Sequence, residues 1–147
     1  MTPPTDPLTT ALAALPHGPE FRFVDRLLAL EPGVSGTGEY VLRGDEAFLR
    51  GHFPGEPLLP GVLLVEAAAQ LAGVVAQSDP AHPPLPGLKL TAIRAAKILG
   101  TARPGETVTL HARISARMGN LVSAQATATL RGTLVLQCEV TLAGTAM

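Results

Sequence analysis

At 147 residues the chain is the size of one domain built on a single hydrophobic core. Eleven basic against twelve acidic residues leave a net charge of −1, and with no basic run or aromatic interleaving this argues against a nucleic-acid binder. Four Phe, one Tyr and no Trp imply an aliphatic core, and a lone cysteine excludes an intrachain disulfide framework and fits a reducing compartment.

Met1 to Pro7 is polar and proline-rich, with no charged region leading into an apolar one, so no secretory signal is read and a cytoplasmic location is expected. Residues 1–14 are taken as a lead-in with a short helix, capped by Thr5 or Asp6 and running from Pro7 towards Leu15. Residues 15–147 are taken as one domain. Pro16-His17-Gly18-Pro19 breaks the helix, Phe21 to Leu30 reads as a strand, and Glu31-Pro32-Gly33 turns the chain. Val34 to Arg43 is its glycine-rich hairpin partner, and Asp45 to Leu49 a helical turn.

The stretch Gly51 to Gln70 is the centre of the chain. Helix breakers flank His52, and Pro57, Pro60 and Gly61 delay helix formation until Val62. From there an apolar run continues to about Gln77; about sixteen helical residues span roughly 24 Å. A helix this apolar on every side belongs in a core, and it is too short and interrupted for a membrane span. Glu66 and Gln70, four apart, share a face that Gln77 extends loosely through Gly73. A carboxylate there must be paired, hydrogen-bonded or protonated, so Glu66 is either a candidate general acid or a residue that reaches solvent at a helix edge or satisfies a neighbouring backbone group.

Ser78 to Gly87 holds four prolines and reads as a surface connection. Leu88 to Leu99 alternates until Ile93 breaks the phase, which predicts a bulged strand. Beyond Glu106 the alternation is clean. Val108, Leu110, Ala112, Ile114 and Ala116 lie on one face, followed by Val122 to Leu130 and Leu134, Leu136, Cys138, Val140 and Leu142. Met118-Gly119-Asn120 and Arg131-Gly132-Thr133 are hairpin-length turns. Three consecutive antiparallel strands with an alanine-rich apolar face predict an α+β domain, an antiparallel sheet wrapped around one long central helix.

Gly51-His52-Phe53-Pro54-Gly55-Glu56-Pro57, with Pro60-Gly61-Val62-Leu63 and Glu66-Ala67-Ala68-Ala69-Gln70, resembles the signature of the bacterial 3-hydroxyacyl-ACP dehydratases, which have the hot-dog fold. The likeness runs from about Leu15 to Leu142. Leu15-Pro16-His17 with Asp25-Arg26 resembles the family's opening, and Arg103-Pro104-Gly105-Glu106 its Pro-Gly-acid turn. It implies a hydro-lyase acting on carrier-linked acyl chains in fatty-acid or related biosynthesis, working as a homodimer or a larger assembly of dimers. His52 of one chain and Glu66 of the other would form each site, His52 taking the C2 proton and Glu66 assisting loss of the C3 hydroxyl. The Gly61 N–H would polarise the thioester carbonyl, the Leu58 carbonyl would orient His52, Gln70 would support Glu66, and Phe53 would line the substrate. No metal or organic cofactor is implied.

This sequence departs from the family where Gly18-Pro19-Glu20 replaces an Arg-Tyr-Pro whose tyrosine the family uses near the mouth of its acyl tunnel. An aromatic near Ile98 and a late-strand tryptophan are also absent. A hot-dog acyl thioesterase using Glu66, or a non-catalytic acyl-binding relative, are the competing readings. His17 beside Pro16 and Gly18 reads as a structural loop residue, His82 and His111 as solvated, and Cys138 as a buried thiol; the histidines have no metal-ligand spacing. An acidic acyl-carrier protein is expected to be met by a basic cluster, for which Arg94, Lys97 and Arg103 are the candidates, with a charge-protected strand edge as the alternative.

Overall fold

The structure is a computed structural model that describes residues 6–51 and 55–145. A short helix α1 (Pro7–Leu12) precedes strands β1 (Arg26–Glu31) and β2 (Ser35–Val41), and the long helix α2 (Gly61–Gln77) follows. Strands β3 (Lys89–Ile98), β4 (Thr107–Met118), β5 (Leu121–Leu130) and β6 (Thr133–Ala143) complete the chain. All six strands form one sheet in the order β1-β2-β4-β5-β6-β3, every pair antiparallel. The expected sheet around one central helix is what the chain builds, and it is the hot-dog fold.

Asp6 caps α1 as anticipated, its side chain accepting from the Leu8 N–H with Pro7 at the helix start. The hairpin turns also follow the local chemistry. Gly119 at φ +60 opens the β4–β5 turn, and Arg131 and Gly132, both with positive φ, make the β5–β6 turn. In β6 the alternation slips once: the register shifts opposite Ala128 and Thr129, and Val135 is buried together with Leu136. The displaced Val135 then covers Gly100, where an added Cβ would lie 3.0 Å from it.

Small residues set how closely the sheet wraps the helix. A Cβ on Gly36 of β2 would sit 2.8 Å from Val75 of α2, so only glycine allows that crossing. Ala124, Ala126 and Ala128 of β5 are buried, as are Ala67, Ala68, Ala69, Ala72 and Ala76 of α2. Dense packing of short side chains replaces the aromatic bulk that the composition lacks.

One strand starts elsewhere than expected, and the predicted bulged strand is found. The strand read from Phe21 begins only at Arg26, after a 3-10 turn at Pro19–Phe21. The reason is tertiary: the side-chain amide of Gln70 bonds the Phe21 carbonyl and the Phe23 N–H, both at 2.8 Å, groups a ladder would otherwise pair. The bulged strand β3 carries two irregularities, at Leu90/Ala92 and Arg94/Lys97, with Ala95 at φ +51 between the latter pair. It lies at the sheet edge and leaves Ile93, Ile98 and the following Leu99 about half exposed.

Candidate active site

Glu66 sits in the second turn of α2, on the side of the helix that the sheet leaves open, with 19 % of its side chain exposed. One of its oxygens, Oε1, takes a hydrogen bond from Gln70 Nε2 at 3.2 Å. Gln70 itself is buried, and its partners fix which way the amide points. Nε2 faces the Phe21 carbonyl and Oε1 the Phe23 N–H. Helix spacing thus brings the carboxylate and amide together, and the amide ties both to the segment entering β1.

The same carboxylate oxygen lies 3.4 Å from Nε2 of His17. The His17 ring stacks on Phe21 with centroids 6.1 Å apart, and Arg22 Nη2 donates to the carbonyls of Leu15 and His17, fixing the loop that carries it. Its Nδ1 is buried without a hydrogen-bond partner among the described residues. His17 is therefore a member of the Glu66 cluster and not merely a loop residue. Flanked by proline and glycine it has no helical or strand period to betray its direction; only the likeness of Leu15-Pro16-His17 to a family opening hinted at more.

A cavity of about 420 Å³ opens beside Glu66, His17 and Gln70, and its other walls include Gly73, Gln77, Leu88, Lys89 and Leu142. Gly61 is the first residue of α2, and a Cβ there would meet two Ile98 carbons at 2.9 Å, so glycine is required where β3 crosses the helix start. No side chain caps this end among the described residues, which leaves backbone donors at a positive helix pole. Leu58 is half-buried in the extended run leading there. Leu59 next to it is bonded through its N–H to the Ala102 carbonyl at 2.9 Å and through its carbonyl to the Thr101 hydroxyl. That run is consequently held against residues 98–102.

His52 and Phe53 lie outside the described residues. The loop leading to them is braced by Glu46, which accepts from the Tyr40 hydroxyl at 2.6 Å, the Arg43 N–H at 3.0 Å and the Gly44 N–H at 2.7 Å. Burial alone would raise the Glu46 carboxyl, but those donors together hold it below the usual carboxylate range. Burial, followed by the bond to Glu46, pushes the Tyr40 hydroxyl well up.

The remaining candidates separate cleanly. Arg94 and Lys97 are exposed on β3, Arg94 pairing with Glu139 at 3.3 Å, while exposed Arg103 opens the turn before β4, where its N–H donates to Glu106. His82 bonds Asp79 at 2.8 Å and His111 the Thr37 hydroxyl at 3.1 Å, both exposed. Cys138 is buried on the inner face of β6, and burial pushes its thiol up to about 11, far from a nucleophile's range. Among the described residues no group of three or more His, Cys, Asp or Glu is arranged to hold a metal ion, and no helix is long and apolar enough to cross a membrane.

A hot-dog domain with a helix-borne carboxylate beside an apolar cavity is the class these features define. Solved structures agree on the fold. The dehydratase heterocomplex ApeI:P from Xenorhabdus doucetiae superposes with a TM-score of 0.78 at 14 % identity, over 96 % of this chain and 93 % of that one. Zebra fish thioesterase superfamily member 2 gives 0.67 at 17 % identity, over 92 % and 91 %. The chain belongs to the FabA-like family, whose domain model matches residues 15–139. It is 37 % identical to the 3-hydroxyacyl-[acyl-carrier-protein] dehydratase FabZ of Chloroflexus aggregans, over 91 % of this chain and 92 % of the relative. To the enzyme of the same name from Rickettsia africae it is 34 % identical, over 91 % and 92 %.

Proposed function

We infer that this protein is a hydro-lyase that dehydrates 3-hydroxyacyl thioesters, presented on acyl-carrier protein, to trans-2-enoyl thioesters in fatty-acid biosynthesis. The observation that carries the reading is Glu66. Its carboxyl is fixed by Gln70 and His17 at the wall of an apolar cavity, in a chain that shares a third of its residues with named dehydratases across nearly its whole length.

In this reading His52 removes the proton from C2, the C3–O bond breaks, and Glu66 supplies the proton with which the hydroxyl leaves as water. Charge gathers on the thioester oxygen meanwhile. The Gly61 N–H at the start of α2 is assigned to receive it, a role that the helix dipole supports. The Leu58 carbonyl is assigned to orienting the His52 ring, and Phe53 to lining the acyl chain beside it. Arg94, Lys97 and Arg103 are assigned to the acidic carrier, on the charge argument alone.

The site is assigned to a homodimer, with His52 and Glu66 contributed by opposite chains and higher assemblies built from that dimer. Support comes from β3, an edge strand with half-exposed Ile93 and Ile98, and from Val62 at the start of α2, which is 70 % exposed. The cytoplasm, where carrier-linked acyl chains would be met, is the assigned location.

The test is to follow hydration of crotonyl thioester and release of free thiol together in wild type, His52→Ala and Glu66→Gln. Each substitution is expected to lower kcat at least about a hundred-fold without thiol release, and the two losses are expected to be non-additive because they serve one proton-transfer step. Mixing the two inactive variants under conditions of proven subunit exchange is expected to restore activity, since one site in each heterodimer keeps both residues. Retained activity in either variant removes that residue from the chemistry, and thiol release without hydration replaces elimination by hydrolysis.

A further inference from the structure

The cavity does not stop at the carboxylate. It follows one face of α2 past Glu66, Gln70 and Gly73 and reaches Gln77, the last residue of the helix. Steps of four, three and four residues keep these positions on one side, and eleven residues of helix carry the path about 16 Å. Gly73 gives the middle its width. A Cβ there would lie 3.7 Å from both Leu88 and Leu142, ordinary contact, so a methyl is tolerated and anything longer has to enter the cavity.

Gln77 at the far end is half-buried and hydrogen-bonded at both its polar atoms. Its Nε2 donates to the Leu85 carbonyl at 2.7 Å while its Oε1 accepts from the Leu85 N–H at 2.8 Å. Two bonds to one residue lock the amide across the end of the path. The loop bearing Leu85 is fastened again by Arg117, which donates to the carbonyls of Ala76 and Pro83 at 3.1 and 3.3 Å. Gly144 presses on Leu85 from behind, where an added Cβ would lie 2.9 Å away. The far end is thus a braced polar clasp, beyond a middle walled by Gly73, Leu88 and Leu142.

We propose that Gln77, pinned to Leu85, is the floor of the acyl site and sets the longest acyl tail this protein accepts. A saturated tail pushing past it has to separate an amide from both partners and offers no hydrogen bond in return. Shorter tails gain with each methylene taken from water. The proposal takes the nature of the thioester from the dehydratase reading, while the length limit belongs to the cavity itself.

The experiment measures kcat/KM for trans-2-enoyl thioesters of increasing length and, alongside, calorimetric Kd for saturated acyl thioesters of the same lengths. In wild type both are expected to improve by about four-fold per added methylene, then break where the tail meets Gln77. Gln77→Ala is expected to move the break outward by about two methylenes, raising the long-to-short ratio roughly sixteen-fold. Gly73→Leu, which fills the middle of the path and leaves the clasp in place, is expected to move the break inward. Reading the ratio and not the absolute rate separates a ruler from a general structural support, which would lower all lengths together. A folded Gln77→Ala or Gly73→Leu protein with the wild-type break in both measurements overturns the proposal. Wild type that binds with the expected break but turns nothing over leaves the ruler standing and removes the dehydratase reading.

Discussion

Replacing Gln70 by leucine tests whether one buried amide holds both the fold and the site. The substitution keeps the bulk and helix propensity of the side chain but removes three hydrogen bonds at once. The Phe23 N–H is fully buried and loses a 2.8 Å partner, which costs about 2 kcal/mol. The Phe21 carbonyl is partly buried and has a second lone pair to satisfy elsewhere, so its 2.8 Å bond contributes about 1 kcal/mol. The 3.2 Å bond to the partly exposed Glu66 carboxylate adds only a few tenths after screening. Together these give about 3 kcal/mol, or roughly 6–12 °C in Tm for a domain of this size. Thermal and urea unfolding at one fixed protein concentration measure it, since any self-association makes Tm concentration-dependent. Hydration of crotonyl thioester in the still-folded variant is expected to fall about ten- to a hundred-fold, because Glu66 loses the group that aims it. A Tm change under about 2 °C would mean that Gln70 does not anchor residues 21–23, and unaltered turnover would mean that it does not position the carboxylate.

Two further substitutions probe the frame around the site. Gly61→Ala places a Cβ 2.9 Å from Ile98 and is expected to destabilise by about 1–2 kcal/mol in urea titration. Ile98→Ala in the same chain deletes the obstructing carbons, so the double variant is expected to recover part of that loss; strict additivity would remove the contact from the explanation. Glu46→Gln addresses pH. The folded carboxyl lies below its ordinary value, so its stabilising contribution is fully present above about pH 4.3, the unperturbed value, and is lost as pH falls through the lower folded value. The urea midpoint of wild type is accordingly expected to exceed that of the variant at pH 7, with the gap closing below about pH 4; a gap that does not change with pH would discount the Tyr40, Arg43 and Gly44 donors.

Period-two alternation placed strands β4, β5 and β6, and an apolar run bounded by helix breakers placed α2 and with it the 3.6-residue spacing of its side chains. The same spacing put Glu66 and Gln70 on one side of the helix, and the motif from Gly51 to Gln70 carried the family. Local chemistry also sufficed for the Asp6 cap and the two hairpin turns, whose geometry depends on a few neighbouring residues. Other features were decided only when distant segments met. Gln70 captures backbone groups 47 and 49 residues away, which is why residues 21–23 stay out of the sheet. Val135 is swept into the core by a bulge set across the β5–β6 pair, and β3 finds its place beyond β6 at the edge. His17 reaches Glu66, and Gln77 reaches Leu85, through loops whose sequence has no period to read. Short-range order is written in residue type and spacing, whereas a loop side chain acquires its partner from the fold that closes around it.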